Sequence, residues 1–263
     1  SWVLKRKFKK ALGLSKARSI VSGAAPLQET QRTWFRKIGV SITNGYGMTE
    51  NCAITTHLGD GIIDKPGSVG LAQPGVELKI DSETSEILMR GPFMMKEYYK
   101  QPELTAEVIK ESWLHTGDQG HIDADGFLFI TGRVKDIFKT SKGKYIEPLV
   151  LEGYFGDILE FEQICVAGLG LPQPICLGVL SEIGLAKPKD ELQKYLSDYL
   201  EKVNEQLPGY KKISTLILVK DPWAVENGLM TPTLKIKRNK IDKAYEKNYM
   251  NWHQDEANII FEN

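Results

Sequence analysis

A β-branched segment, Val40–Thr43, runs directly into Asn44-Gly45-Tyr46-Gly47-Met48-Thr49-Glu50. A strand that ends in an aromatic residue bracketed by glycines must deliver its carboxyl end to a tight loop, because glycine supplies turns closed to other residues. The preceding residues follow the same grammar. Arg18–Val21 reads as a short strand ending at Ser22-Gly23-Ala24-Ala25-Pro26. Pro26 suits the first turn of a helix, and Leu27–Lys37 reads as that helix, closed by Gly39. Strand, loop, helix, strand is the order of an α/β sheet. Ligands of such sheets gather beyond the carboxyl ends of the strands, so the two glycine-bearing loops are expected to face one crevice.

From Gly67 the texture changes. Ser68–Leu71, Val76–Ile80 and Glu86–Arg90 read as short strands between Pro-Gly and polar turns, which predicts a small β-rich, barrel-like subdomain. His121–Thr131 reads as a hairpin turning at Asp123-Ala-Asp125-Gly126. Its flanking strands and Asp-Gly turn favour a hairpin over a calcium loop, which needs further ligands and flanking helices. Beyond Arg133 the pattern becomes α+β. Ile137–Ile146 is a hairpin around Ser141-Lys-Gly143, Glu147-Pro148 opens a helix, and Ile164–Gly168, Ile175–Leu180 and Thr215–Val219 are strands. Asp190–Leu207 carries Leu192, Tyr195, Leu196, Tyr199, Leu200 and Val203 on one helical face, and Lys237–Tyr245 is a last helix.

Composition narrows the function classes. The 263 residues hold 34 basic and 34 acidic side chains, a balance that argues against general nucleic-acid binding. The apolar stretch Ile164–Leu180 is interrupted by Pro172, Gln173 and Pro174, so it reads as strand, turn, strand rather than a membrane span. Three cysteines without a CxxC pair fit reduced thiols, and Cys165 and Cys176 sit in strands expected to be core. Trp2–Leu14 is basic, reading as a solvated helix or as a membrane-surface one.

Several residues suggest chemistry by type and spacing. Tyr46 offers a flat face to a purine, Thr49 a hydroxyl to a phosphate and Glu50 a hard oxygen to Mg²⁺. In Trp113–Asp118 a turn presents Asp118, whose carboxylate can accept two hydrogen bonds from a ribose diol. Arg133 follows as a multi-donor cation suited to ribose oxygens or phosphate.

Tyr46-Gly47-x-Thr49-Glu50, Thr116-Gly117-Asp118, Gly132-Arg133-Val134-Lys135-Asp136 and Pro232-Thr233-Leu234-Lys235-Ile236-Lys237-Arg238, in that order, resemble the adenylate-forming (AMP-binding) superfamily. That family includes acyl-CoA synthetases, luciferase and peptide-synthetase adenylation domains, and the last motif looks like the long-chain fatty acyl branch. The resemblance implies an acyl-CoA synthetase-like fold represented here by its C-terminal half. The upstream phosphate loop ending in Pro-Lys-Gly is not among these residues. It divides the chain into 1–66, the remaining α/β part of the large domain; 67–133, its β-rich subdomain; 134–136, a hinge; and 137–263, a small mobile domain. The implied nucleotide contacts are Gly23, Ala24, Ala25, Pro26, Asn44, Gly45, Tyr46, Gly47, Thr49, Asp118 and Arg133. The implied metal ligand is Glu50. Lys135 is the implied pivot, and Lys139 and Gly143 lie on the implied CoA side. The family motif Pro-x-Thr-x-x-Gly-Lys, aligned on Thr233, makes Lys237 the catalytic lysine, with Lys235 as a second candidate. Ala24, Ser85 and Ile236 each stand where the family has glycine.

The expected activity is ATP-dependent conversion of a fatty acid to acyl-AMP and then to acyl-CoA, using Mg²⁺ and coenzyme A. Fatty acid and CoA are the expected partners, with the missing N-terminal half of the same protein. This segment alone is expected to be inactive. Its expected location is cytoplasmic, with peripheral membrane contact as an option. The alternatives are another adenylate-forming ligase, acting on an acyl-carrier protein or an aryl acid, and a non-catalytic nucleotide-binding or interaction module.

Overall fold

A computed structural model describes residues 2–17, 19–23, 27, 29–53, 55–56 and 65–262. The chain divides into two compact units, Ser1–Lys135 and Asp136–Asn263.

The first unit opens with helix α1 (Trp2–Ala11). Strand β1 (Val21–Ser22), helix α2 (Glu29–Lys37) and strand β2 (Thr43–Asn44) follow. β1 and β2 pair in parallel, Val21 opposite Thr43 and Ser22 opposite Asn44, so this is the strand–helix–strand unit the sequence predicts. Both strands are shorter and lie later than expected. Gly39 leaves α2 at φ +81°, a left-handed value that glycine adopts without steric cost.

A five-stranded sheet forms the rest of this unit: β3 (Glu77–Ile80), β4 (Glu86–Arg90), β5 (Ile109–Lys110), β6 (Trp113–Ile122) and β7 (Leu128–Arg133). Helix α3 (Pro102–Val108) precedes β5, with proline at its first turn where no donor is needed. All pairings are antiparallel. The long β6 takes β4 on one edge, and β5 and β7 in succession on the other. The barrel-like expectation therefore resolves into an open sheet; among the described residues no pairing joins β3 to β7. Ser68–Leu71 contributes an isolated bridge, Leu71 to Phe127, instead of a full strand. The Asp123–Gly126 turn closes the β6–β7 hairpin, and the Lys65 ammonium pairs with the carboxylates of both Asp123 and Asp125.

The second unit begins with the β8 (Phe138–Lys139)–β9 (Tyr145–Ile146) hairpin and α4 (Pro148–Gly153). Its centre is a four-stranded sheet in the order β10 (Phe161–Ala167), β11 (Ile175–Leu180), β12 (Leu216–Leu218), β13 (Ile259–Phe261). β10–β11 is antiparallel and the other two pairings are parallel. Parallel neighbours require crossovers. The connections carry α5 (Glu182–Leu185) and α6 (Lys189–Glu205) before β12, and α7 (Arg238–Gln254) before β13.

Period-two alternation sends successive strand residues to opposite faces. Val166, Cys176, Leu216 and Leu218 pack with Leu192, Leu196, Leu200 and Val203 of α6. Cys165, Ala167, Leu177 and Ile217 pack with Ile241 and Tyr249 of α7. Both strand cysteines are thus core residues, as expected. Of the two tyrosines assigned to the buried face of α6, Tyr199 packs against the core while Tyr195 is exposed at its margin.

Gly120 marks where the first sheet tolerates no side chain. A Cβ there falls on the Phe129 carbonyl oxygen and against Ile87. Gly120→Ala is expected to cost about 1–3 kcal/mol, seen as a lower urea midpoint with the slope unchanged. A midpoint equal to the parent's contradicts this packing.

Candidate active site

The loop after β2 builds the site. Tyr46 N–H donates to Thr56 Oγ1 at 2.9 Å, and its carbonyl accepts from the Thr55 and Thr56 amides. Met48 N–H donates to Asn51 Oδ1 at 2.9 Å, and the Asn51 side chain is fully buried. The loop folds back so tightly that a Cβ on Gly47 overlaps the Ala53 backbone. This close approach is the physical reason for glycine at that position. Gly23 lies beside Gly45, since a Cβ on Gly23 meets the Gly45 carbonyl at 3.4 Å. Both glycine-bearing strand ends therefore meet in one place. Ala24, Ala25 and Pro26 lie outside the described residues.

Tyr46 is only 8% exposed and packs against Ile87 and Leu128. Its hydroxyl donates to Asp118 Oδ2 at 2.7 Å, and Arg133 Nε meets Asp118 Oδ1 at 2.9 Å. The three residues, distant in sequence, form one polar chain. Burial pushes the Tyr46 phenol far above its ordinary value, and the Asp118 charge adds to the shift. Arg133 is 58% exposed, so its remaining donors face solvent.

Asp118 is placed by the start of β6. Gly117 takes φ +72°, while Thr116 Oγ1 donates to the Ile87 carbonyl at 2.7 Å and accepts from Asp118 N–H at 3.2 Å. Glu86 holds the same bend from β4. Its Oε1 accepts from Gly117 N–H at 2.8 Å, and its Oε2 meets His115 Nδ1 at 2.8 Å. Neither Glu86 nor His115 was singled out as a site residue, because their partners lie about 30 positions away in sequence.

Asn44 carries a further signal: its side-chain Oδ1 is buried and, among the described residues, has no donor. A buried acceptor without a donor costs about 1–3 kcal/mol, and an exocyclic amine on a ligand would relieve that cost. Thr49 is exposed at the head of the turn Thr49–Asn51. Glu50 is half-buried, and its Oε1 accepts from the Tyr98 hydroxyl at 2.7 Å. Burial first, then this carboxylate, push the Tyr98 phenol up to about 12. Among the described residues no group of three or more His, Cys, Asp or Glu is arranged to hold a metal ion.

Lys135 is exposed in the turn Val134–Asp136, at the division between the units. Within the second unit, Lys139 is exposed with its ammonium 5.0 Å from the centre of the Tyr145 ring. Gly143 turns the β8–β9 hairpin at φ +75°. That angle alone explains the glycine.

Residues 229–237 form a second small hairpin. Lys237 N–H donates to the Leu229 carbonyl at 2.9 Å, Met230 bridges Ile236, and Thr231 N–H donates to the Lys235 carbonyl at 2.8 Å. Leu234 sits at the tip with φ +59°, a left-handed value that glycine favours. Lys235 follows it and is exposed, whereas Lys237 is half-buried at the N-terminus of α7.

Residues 2–99 match the family model described as AMP-binding enzyme. The chain is 31% identical over 273 residues to long chain acyl-CoA synthetase 2 of Arabidopsis thaliana, covering 91% of this chain and 41% of that protein. The chain belongs to the AMP-binding, adenylate-forming family. It is 32% identical over 272 residues to the chloroplastic long-chain-fatty-acid–[acyl-carrier-protein] ligase AEE15 of the same plant, covering 92% of this chain and 36% of that one. Its fold matches the anthranilate CoA ligase AuaEII, solved in complex with anthranoyl-AMP. The TM-score is 0.70 at 27% identity, over 88% of this chain and 45% of that one. The chain thus spans about two fifths of the length of these curated relatives. No helix among its described residues is long and apolar enough to cross a membrane.

The Tyr46–Asp118 bond has a pH signature. A phenol raised in the folded state gives stability fully present below the unfolded value near pH 10, lost as pH rises toward the folded value. Tyr46→Phe is expected to cost about 1.5–3 kcal/mol at neutral pH, and to flatten the loss of stability between about pH 10 and 12. Urea midpoints at pH 7 to 12 test both; parallel curves for the two proteins contradict the bond's role.

Proposed function

We propose that this chain forms the nucleotide-holding and catalytic-lysine portions of an acid–thiol ligase that activates a long-chain fatty acid as acyl-AMP and passes it to CoA. The observation that carries this reading is the Tyr46–Asp118–Arg133 chain together with the buried Asn44 acceptor, which has no donor among the described residues. In this reading the purine lies against the Tyr46 ring and the Gly23 and Gly45 backbone, and its exocyclic amine meets Asn44 Oδ1. Asp118 accepts the ribose hydroxyls. Arg133 donates to ribose or phosphate oxygens, and Thr49 donates to the α-phosphate. Ala24, Ala25 and Pro26 continue the wall beside adenine by the family resemblance.

Mg²⁺ commonly takes one or two carboxylates together with substrate phosphates. A single carboxylate at Glu50 fits that demand, with Tyr98 engaging only one of its oxygens. Glu50 would hold and orient the ion, which would supply charge neutralisation on the triphosphate.

The fatty-acid carboxylate oxygen attacks the α-phosphorus and pyrophosphate leaves. Positioning and charge stabilisation dominate such a transfer. A hairpin ammonium from the second unit balances the charge moving between carboxylate and phosphate. Alignment of the motif on Thr233 assigns this to Lys237. The left-handed conformation of Leu234 supports the other candidate, because the family motif places glycine immediately before its lysine, and the residue after Leu234 is Lys235. Exposure at the hairpin tip favours Lys235 as well. We therefore assign the role to Lys235, with Lys237 at the hairpin base.

The CoA thiol then attacks the acyl carbon and AMP leaves. Lys139 and Gly143 are assigned to that side, and Lys135 to the pivot between the two half-reactions. The identity to an acyl-carrier-protein ligase supports a second reading in which the accepting thiol is carried on a protein. Rates with free CoA against a phosphopantetheinylated carrier protein separate the two.

Calorimetry of this chain tests the nucleotide site. AMP is expected to bind more tightly than 2′-deoxy-AMP, and Asp118→Ala to lose about 10- to 100-fold for AMP and to abolish the difference between them. Asp118→Ala binding as tightly as the parent contradicts the site. In a full-length ligase carrying this chain, Lys235→Ala is expected to slow acyl-AMP formation about 10²–10³-fold and Lys237→Ala much less. Thioester formation from supplied acyl-AMP is expected to survive both changes. The opposite order returns the role to Lys237.

A further inference from the structure

Arg238 follows the lysine hairpin directly and opens α7. Only 16% of its side chain is exposed. Nε meets Asp136 Oδ2 at 3.2 Å and Nη2 pairs with Glu152 Oε2. Nη1 donates to the Val166 carbonyl at 3.2 Å and lies 3.4 Å from Cys165 Sγ. Glu152 spends its other oxygen on the Val166 amide, at 2.7 Å. All three nitrogens of the guanidinium are therefore engaged, and a planar fork held on three sides has a single orientation.

Burial opposes the charge on Arg238, and the Glu152 and Asp136 carboxylates outweigh it. Such an arrangement is a poor way to gain stability, since apolar side chains of similar volume often serve as well. Its geometry points to another use. Asp136 is the residue after Lys135, and Arg238 is the residue after Lys237. One guanidinium thus joins two segments about 100 positions apart, the start of the second unit and the base of the lysine hairpin.

We propose that Arg238 is a positioning residue that ties the lysine hairpin to Asp136, so that rotation at Lys135 carries the reactive ammonium as part of one rigid piece. This rests on the reading that a hairpin lysine serves acyl-AMP formation. Arg238 touches no substrate; it fixes where the lysine stands when the pivot turns. The internal bonds of the hairpin hold its shape, and the Asp136 bond holds its direction. The Glu152 bond keeps the guanidinium in plane for both.

Asp136→Asn tests this, because Asp136 is half-buried and the amide keeps its shape. In a full-length ligase carrying this chain, acyl-AMP formation is expected to slow on the order of 10- to 100-fold in kcat. KM for ATP is expected to hold, as is the rate of thioester formation from supplied acyl-AMP. Asp136→Glu, which restores a carboxylate, is expected to recover part of the rate. In the Lys235→Ala background, or Lys237→Ala if that lysine proves the reactive one, Asp136→Asn is expected to add no further loss, as for residues acting through one group. Equal slowing of both half-reactions, or losses that multiply in the double variant, makes Arg238 a fold staple and overturns the proposal. If both single lysine variants keep the parent rate of acyl-AMP formation, the catalytic reading itself falls and the proposal with it. In this chain, hydrogen exchange gives a separate check. Asp136→Asn is expected to speed exchange at the Lys240 and Ile241 amides, which bond to the Lys237 carbonyl where the hairpin joins α7, while leaving Cys165 and Leu177 in the β10–β11 ladder protected; unchanged exchange at Lys240 and Ile241 overturns the proposal.

Discussion

The carboxylate of Asp118 is the point on which the first unit turns. It accepts the Tyr46 hydroxyl on one oxygen and Arg133 on the other, and so joins the loop after β2 to the β6–β7 hairpin. Three separate devices hold it there: the left-handed Gly117, the Thr116 hydroxyl on the Ile87 carbonyl, and the Glu86 carboxylate on the Gly117 amide. The Tyr46 ring is buried against Ile87 and Leu128, since its hydroxyl is satisfied without reaching for solvent.

In the proposed reading the second unit answers a different demand, which is to carry a cation on a stiff arm. Helices on both faces of its sheet provide the stiffness, since the apolar strand residues pack on one side or the other. The arm is the 229–237 hairpin, with Ile236 packed into the α7-side core between two outward lysines. Two residues apart on an extended strand, Lys235 and Lys237 leave the same face. Distance from the turn separates their surroundings: Lys235 is exposed beside the tip, and Lys237 is half-buried at the start of α7.

Much of this was legible in the sequence, for physical reasons. Glu86–Arg90 is strand as expected because its apolar residues sit between strong turn signals, and β10 and β11 stand out by the apolar runs Ile164–Ala167 and Ile175–Leu180. The glycines around Tyr46 announced a close backbone approach, and Ala53 is what approaches. Other features had no local signal. Helix α3 buries none of its residues, so it shows no apolar periodicity to read. β13 is three residues long and owes its strand character to β12 beside it. The roles of Glu86 and Tyr98 depend on partners far along the chain. Leu234 hid its left-handed backbone behind a side chain that rarely adopts it, so the sequence alone offered no reason to prefer Lys235 over Lys237.

In the proposed reading a purine rests on Tyr46 beside Asn44. Photolabelling with 8-azido-AMP, followed by peptide mapping, tests it most directly. Covalent label is expected within residues 44–56 or beside Gly23, removed by competing AMP and reduced in Asn44→Ala. Label that AMP does not displace, or that falls on peptides of the α6–β12 region instead, would contradict it.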